Sequence, residues 1–263
     1  MALRSALLNV MVMAARKAAR GLARDFGEVE QLQVSRKGPA DFVSAADHRV
    51  EKLLVTELRK ARPDWSFRLE EGGDIEGRDP SHRWVIDPLD GTTNFLHGVP
   101  HFAISIGVER EGEPVCGVIL DPVKDELFLA EKGGGAFLND RRLRVSARSK
   151  LPDALIATGL PFNGKEGHDL SARELAVMMP EIAGIRRMGA ASLDLAYVAA
   201  GRYDGFWERG LKPWDVCAGI VLVREAGGVV TGIQGTGDPV GGGSILAAND
   251  SLHGALKTLL AKA

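Results

Sequence analysis

The sequence predicts a mixed α/β fold, for three reasons that concern its hydrophobic periodicity. Helical spacing of apolar residues recurs near the N-terminus and over residues 45–62, 168–181, 191–201, 214–226 and 251–262. Short apolar runs typical of strands occupy residues 84–87, 102–109, 114–120, 126–130, 155–160, 228–231 and 244–248. In the second half of the chain strands alternate with helices, which favours layered α/β packing.

Residues 102–130 indicate an antiparallel meander, because their strands follow one another through short turns that contain Gly and Pro. We expect residues 1–263 to form a single unit. Its alternative is two closely packed halves, residues 1–150 with the antiparallel sheet and residues 151–263 with a second α/β layer. No true linker separates the halves.

The composition is that of an ordinary globular protein, with 45% hydrophobic and 26% charged residues. The formal net charge of −2 gives no global reason to expect binding to nucleic acid or to an anionic membrane surface. The sequence has no run of about 18 uncharged apolar residues, so no membrane span is expected. A small molecule is therefore the expected partner.

The two cysteines, Cys116 and Cys217, lie in apolar stretches and lack the spacing of a zinc site or a disulfide framework. We expect both to be buried thiols in a reducing compartment, which favours a cytoplasmic location. The apolar run from Ala6 to Ala15 could be read as the core of a short signal peptide. Basic residues between apolar positions at helical spacing favour an amphipathic first helix instead.

The segment Trp84–Phe95 is the most informative part of the chain. Its first three residues form a short apolar strand. Pro88 lacks an N–H group and disfavours a helical Asp87, so we expect the strand to end at Asp87. Asp87 and Asp90 then stand together on a sharp turn.

Two carboxylates this close repel each other unless a cation lies between them. Oxygen ligands without His or Cys favour Mg²⁺ over zinc or copper. The residues that follow, Gly91 and Thr92, are suited to opening a short helix, whose free N–H groups form an anion site. The alternative is an ordinary solvated Asp-Pro-x-Asp-Gly turn with Asx-type hydrogen bonds.

Three segments together resemble the inositol monophosphatase family. Asp87–Phe95 is similar to the first signature of that family, and Lys212–Gly219 to the second. The pair Glu70–Glu71, upstream of the first signature, matches a third element. Similar patterning runs over residues 30–260. The resemblance implies an alternating αβαβα sandwich of the sugar-phosphatase type and a homodimer.

The resemblance also implies which residues bind metal and act in catalysis. The expected ligands of two or three Mg²⁺ ions are Glu70, Asp87, Asp90, Asp215 and the backbone carbonyl of Leu89. Thr92 and Glu70 would orient the attacking water, with Asp90 as a further catalytic residue, in an in-line displacement without a covalent phospho-enzyme. Each residue has another reading: Glu70 a solvated acid, Thr92 a helix cap, Asp215 an acid in the first turn of a helix.

Substrate contacts are implied in the same way. The expected contact residues are Gly91, Thr92, Gly189, Ala190, Ala191 and Glu208, where Glu208 would accept hydrogen bonds from substrate hydroxyls. Its alternative is a surface charge. Lys37 and Asp47 match a mobile loop and the helix after it, and are expected to support the site. The histidines His82, His97, His101 and His168 are interpreted as surface or turn residues, not as ligands.

The resemblance implies Mg²⁺-dependent hydrolysis of a phosphate monoester, with myo-inositol 1-phosphate as the leading substrate. Relatives with the same signatures act on fructose 1,6-bisphosphate, phosphoadenosine phosphate or histidinol phosphate, so the substrate stays open. A different class of function is a regulatory protein that associates with RNA or the transcription machinery. The best local candidate for a docking site of this kind is a basic cluster formed by Arg141, Arg142, Arg144, Arg148 and Lys150. The alternative is that these residues form an ordinary solvated face.

Overall fold

A computed structural model of the chain describes residues 5–28, 34–38, 41–235 and 239–263. Its helices are α1 (Ala6–Gly27), α2 (Ala45–Ala61), α3 (Thr92–Leu96), α4 (His168–Met178), α5 (Ala191–Ala199), α6 (Pro213–Glu225) and α7 (Asp250–Leu260). The six longer helices are those that the periodicity predicts. In the described part of the chain, no helix combines the length and the apolar character needed to cross a membrane.

The strands of the first half are β1 (Val34–Gly38), β2 (Asp41–Ser44), β3 (Trp65–Leu69), β4 (Gly73–Ile75), β5 (Asp79–Asp90), β6 (Ala103–Arg110), β7 (Glu113–Asp121), β8 (Glu126–Glu131), β9 (Gly135–Leu138) and β10 (Arg141–Arg142). The strands of the second half are β11 (Leu155–Thr158), β12 (Gly184–Arg186), β13 (Gly205–Arg209), β14 (Val229–Thr231) and β15 (Ser244–Ala248). The sequence alone did not predict β1–β4, β9, β10, β12 or β13. β3 and β13, for example, are short and carry charged residues that interrupt their apolar pattern.

The larger sheet has eight strands in the order β10-β9-β8-β7-β6-β5-β3-β4. Successive strands from β5 to β10 pair antiparallel, which confirms the predicted meander. The β3–β5 pair is parallel, with Leu69 opposite Ile86. β3 and β5 therefore end on the same side of the sheet, and the predicted acids lie at these ends, Glu70 directly after β3 and Asp87 and Asp90 in the last residues of β5.

The smaller sheet has five strands in the order β12-β11-β13-β15-β14. Its strands show the alternation of a sheet covered on both faces. Phe206 and Ala247 pack into a core shared with α5 and α6, whereas Trp207 and Leu246 pack toward α4 and α7. Helix α6 also packs on one face of the larger sheet, and α1 and α2 cover the opposite face of that sheet. The layers run α-β-α-β-α, which confirms the predicted sandwich.

Close packing of α6 on the larger sheet depends on two glycines. A Cβ atom at Gly117 would lie 2.4 Å from the carbonyl oxygen of Ala218, and one at Gly107 would lie 2.4 Å from Sγ of Cys217. Real Cβ atoms do not approach so closely, so both positions require glycine. Because Gly107 in β6 and Gly117 in β7 have no side chain, the first turns of α6 lie directly on the backbone of these strands. Asp215 is brought to the sheet by this contact.

Candidate active site

Asp87 and Asp90 lie at the end of β5, which continues past the predicted endpoint. The expectation that the strand ends at Asp87 is wrong: β5 extends to Asp90, with Asp87 opposite Ser105 and Asp90 opposite Ala103. The register therefore gains one residue between the two acids, as in a β-bulge. Pro88, which has no N–H group to donate, is accommodated there. The N–H of Leu89 donates to Oδ1 of Asp87 at 2.9 Å.

Glu70 lies beside Asp87 because β3 runs parallel to β5. It is the first residue after β3, and its N–H donates to the carbonyl oxygen of Ile86 at 3.3 Å. Asp87 is only 2% exposed. Burial raises the pKa of Asp87 well above its ordinary value, and repulsion by Glu70, Asp90 and Asp215 raises it further. Three acids, from as far apart in the sequence as Glu70 and Asp215, thus raise the pKa of the carboxyl group of Asp87.

Asp90 is anchored by the N-terminal turn of α5. The backbone N–H and the hydroxyl of Ser192 both donate to Oδ2 of Asp90, at 2.7 and 2.5 Å. Burial raises the pKa of Asp90, and the hydrogen bonds from Ser192 and its neighbours oppose that rise. Sequence reasoning missed Ser192. Ser192 is the second residue of a helix that begins directly after Gly189 and Ala190. A hydroxyl in the first turn of a helix is a typical hydrogen-bond donor or cap, and this position could have identified it.

Asp215 occupies the first turn of α6, as the alternative reading of this residue proposed. The N–H of Lys212 donates to its Oδ2 at 2.7 Å, which completes a capping arrangement. Burial raises the pKa of Asp215, and repulsion by Asp90 and Glu208 adds to the rise. The residue therefore caps its own helix and also faces the acids of β5.

Thr92 and Asp47 meet between α3 and α2. Oγ1 of Thr92 lies 3.0 Å from the carbonyl oxygen of Leu89 and 3.2 Å from Oδ1 of Asp47, and donates to these acceptors. Asp47 is 1% exposed. Gly91, directly before α3, has φ 94°, which an L side chain rarely adopts, and a Cβ there would lie 3.0 Å from the carbonyl oxygen of His101.

The loop Gly189–Ala191 is tied to α3 by Asn94. Nδ2 of Asn94 donates to the carbonyl oxygens of Met188 and His101, each at 2.8 Å. The loop that the resemblance assigns to substrate therefore begins beside the turn Gly91–Thr92, to which the resemblance assigns the phosphate. Asn94 was recognised within the signature but not for this role, which only the fold reveals.

Glu208 projects from β13 toward the same acids. Burial raises its pKa to about 8, repulsion by Asp90 contributes, and Arg187 opposes the rise. A Cβ atom at Gly159 would lie 1.9 Å from the carboxyl carbon of Glu208, so this side chain needs the space that a glycine leaves. Gly159, at the end of β11, was also missed by sequence reasoning. Glu208 is only partly exposed, so it is not the surface charge of the alternative reading.

Two remaining predictions concern residues outside this cluster. Lys37 lies on β1, and its side chain is outside the part that the structure describes. The interpretation of His101 as a surface or turn residue is wrong, because it is 3% exposed and burial lowers its pKa to about 4. Its ring is therefore neutral near pH 7.

The chemistry of the acid cluster fits a hard divalent cation. Glu70, Asp87, Asp90 and Asp215 supply only oxygen ligands. Burial raises the pKa values of the three aspartates, and repulsion by neighbouring acids adds to the rise for Asp87 and Asp215. A cation would offset that repulsion. In the described part of the chain, no three acidic, His or Cys side chains already enclose a point as tightly as a bound ion requires.

Known proteins are similar to this chain over nearly its whole length. The sequence profile of the inositol monophosphatase family matches residues 3–263. An inositol-1-monophosphatase of Rhizobium meliloti is 60% identical over 257 residues, which cover 98% of this chain and 97% of that protein. A protein of Pseudomonas aeruginosa named Nus factor SuhB is 47% identical over 97% of this chain and 95% of its own length.

A solved structure gives the same result for the fold. The crystal structure of the extragenic suppressor protein SuhB from Bartonella henselae superposes with a TM-score of 0.95 at 56% identity, and the match covers 98% of this chain and 99% of that one. Fold, signatures and sequence identity therefore coincide. The chain belongs to the inositol monophosphatase family of phosphatases.

Proposed function

We propose that this chain hydrolyses a phosphate monoester with the aid of Mg²⁺, and that myo-inositol 1-phosphate is its substrate. The observation that carries the proposal is the convergence of Glu70, Asp90 and Asp215 on the buried carboxyl group of Asp87. Buried acids that repel each other are costly to keep unless they serve a cation. The name of the 60% identical relative supports the choice of substrate.

Five groups would hold two or three Mg²⁺ ions: the carboxylates of Glu70, Asp87, Asp90 and Asp215 and the carbonyl oxygen of Leu89. When bound, such ions lower the pKa of water and compensate the charge that develops on the leaving oxygen. Hydrogen bonds already fix one oxygen of each aspartate. A carboxylate fixed in this way can present its second oxygen as a ligand with little loss of conformational freedom.

Thr92 and Asp47 are arranged to orient the attacking water. When the hydroxyl of Thr92 donates its hydrogen bond to Oδ1 of Asp47, the lone pairs of Oγ1 are left to accept a hydrogen bond from the water and so to orient it. Glu70, which lies across the site beside Asp87, would take the proton that the water loses. Both groups act by position, so neither forms a bond to phosphorus.

The substrate would lie between α3 and β13. Backbone N–H groups of Gly91 and Thr92 face the phosphate, and Glu208 accepts hydrogen bonds from ring hydroxyls. The loop Gly189–Ala191, tied to α3 through Asn94, lies along the ring. A cytoplasmic homodimer completes the proposal. The free, buried thiols of Cys116 and Cys217 are consistent with a reducing compartment.

The test is phosphate release with and without Mg²⁺ from inositol 1-phosphate, fructose 1,6-bisphosphate, phosphoadenosine phosphate and histidinol phosphate. Native protein should turn over inositol 1-phosphate best, only with Mg²⁺, and Asp90→Asn should lose at least about 100-fold in kcat. Asp204→Asn is the matched control, because Asp204 is likewise buried but receives its hydrogen bonds from Ser146, Arg148 and Leu155. A preference for another ester would change the substrate, and no turnover on any ester would reject the proposal.

A second function is favoured by one specific observation, the 47% identity to a protein named Nus factor. All five residues of the basic cluster, Arg141, Arg142, Arg144, Arg148 and Lys150, are exposed along β10 and the segment after it. Arg148 also pairs with Asp204 at 3.2 Å. Binding to RNA through this face should weaken steeply with salt and in the double variant R141A/R144A. Salt-independent or absent binding would reject this function.

A further inference from the structure

Helix α2 directs two buried carboxylates toward the candidate active site. Asp47 and Glu51 are 1% and 6% exposed, and their separation of four residues places them one turn apart on the same face. Asp47 contacts Thr92 and so has a place in the proposed chemistry. Glu51 touches neither water nor substrate in that scheme, and neither signature contains it. Its burial calls for a different explanation.

Glu51 accepts hydrogen bonds from two consecutive backbone N–H groups. Its Oε2 accepts from the N–H of Glu71 at 2.9 Å, and the N–H of Gly72 donates to the same carboxylate. A Cβ atom at Gly72 would lie 3.0 Å from Oε1 of Glu51 and 3.1 Å from Cδ1 of Leu69. The absence of a side chain at position 72 therefore lets the carboxylate approach the backbone.

The backbone that Glu51 holds is the turn between β3 and β4. Leu69 and Gly73 pair across this turn, so residues 70–72 form its tip. On one side the N–H of Glu70 donates to Ile86 of β5, and on the other side Glu51 receives the two following N–H groups. The peptide units around Glu70 are thus fixed from the sheet and from α2 at once.

We propose that Glu51 is a positioning residue, which holds the turn 70–72 so that the carboxylate of Glu70 faces Asp87 and the cation. The proposal rests on the proposed function for the role of Glu70, and it adds a residue outside the recognised signatures. Partners of metal ligands commonly change metal affinity by about 10- to 100-fold when they are removed. Glu51 would act in this way through the backbone and not through the ligand side chain.

The carboxylate has properties that other side chains cannot supply at position 51. Glutamine offers one acceptor oxygen, so its amide group would face one of the two N–H donors. Alanine offers no acceptor, and both N–H groups would lose their partner. The expected order of Mn²⁺ affinity is therefore native protein, then Glu51→Gln, then Glu51→Ala.

The first readout is backbone hydrogen exchange in metal-free protein. Glu51→Ala should speed exchange in a peptide that contains residues 70–73 by at least about tenfold, because both N–H groups lose a buried acceptor. Glu51→Gln should give a smaller increase. Asp204→Asn, which removes a buried carboxylate in the smaller sheet, should leave this peptide unchanged. Native-like exchange in the alanine variant would overturn the proposal.

The second readout is Mn²⁺ binding, followed by electron paramagnetic resonance, together with Tm. Affinity should fall about 10-fold or more in Glu51→Ala and by an intermediate factor in Glu51→Gln. Asp204→Asn should lower Tm and leave Mn²⁺ binding within about twofold of native, since its contacts lie away from the acids. If the alanine variant does not fold, the glutamine variant decides, and native affinity there would refute the positioning role.

The same titration separates this proposal from the function on which it rests. Native protein that binds no Mn²⁺, or an Asp90→Asn variant that binds it normally, would reject the metal site itself. Binding that is strong in native protein and weak in Asp90→Asn, but unchanged in both Glu51 variants, would reject only the role of Glu51.

Discussion

Ser192→Ala removes the only side-chain hydroxyl that the first turn of α5 donates to the buried carboxylate of Asp90, and it leaves the backbone donors of that turn in place. The hydroxyl lies 2.5 Å from Oδ2 of Asp90, and the backbone N–H of Ser192, which remains in the variant, lies at 2.7 Å. A hydrogen bond to a charged group contributes about 1.5–3 kcal/mol. Since about 1.4 kcal/mol corresponds to a factor of ten, the loss should weaken cation binding by about 10- to 100-fold at pH 7.

The direction follows from the pKa of Asp90. Ser192 opposes the rise that burial causes, so the pKa of Asp90 is higher in the variant and less of its carboxyl group is ionised at pH 7. Mg²⁺ binds the ionised form, and part of the lost affinity should therefore return at pH 9. Isothermal titration calorimetry at both pH values measures this effect.

A matched control is available for this substitution. Oγ of Ser146 donates to Oδ1 of Asp204, also at 2.5 Å, but on the smaller sheet. Ser146→Ala should cost stability and leave Mg²⁺ affinity unchanged. Native Mg²⁺ affinity in Ser192→Ala at pH 7, or an equal loss in the control, would refute the role assigned to Ser192.

Three further outcomes are expected. Burial raises the pKa values of Asp87, Asp90, Asp215 and Glu208, that of Glu208 to about 8. The folded, metal-free protein therefore holds protons on these acids that the unfolded chain loses. Their contribution to its stability is present below about pH 4 and is lost as the pH rises toward 8. A pKa shift of one unit corresponds to about 1.36 kcal/mol of stability, so Tm in EDTA should fall by at least about 3–5 °C between pH 5 and 8. Mg²⁺ should remove most of this fall. A Tm in EDTA that does not change with pH would contradict the expectation. Glu208→Gln should raise KM for inositol 1-phosphate about 10-fold or more and leave KM for p-nitrophenyl phosphate, which has no ring hydroxyls, nearly unchanged; equal effects on both would reject the hydroxyl contact. Gly159→Ala should displace Glu208 and reproduce the KM change without altering a charge, and normal KM would show that the site has room for the added methyl group.

Much of the fold could be predicted from local patterns. The six longer helices carry apolar residues at helical spacing, and β6, β7 and β8 are apolar runs divided by turns. The layer order, by contrast, came from the resemblance. In the structure it is visible in the alternate contacts of Phe206 and Trp207, which belong to a strand that periodicity did not predict.

The acids of the site could be named from two signatures, but their partners could not. Ser192 and Gly159 contact Asp90 and Glu208 across the fold, and no local spacing links them. The extension of β5 beyond Asp87 was missed because Pro88 ends most strands, whereas a bulge here lets pairing resume at Asp90. Local rules fail where long-range contacts decide the outcome.

The most direct test of the metal site is anomalous diffraction from crystals soaked in Mn²⁺. Peaks should appear among the carboxylates of Glu70, Asp87, Asp90 and Asp215, within about 2.0–2.4 Å of their oxygens, with one peak near the carbonyl oxygen of Leu89. The same soak of Asp90→Asn crystals should lose at least one peak. Peaks elsewhere, or none at these acids while the native protein still releases phosphate in the presence of Mn²⁺, would contradict a catalytic role for the carboxylate cluster.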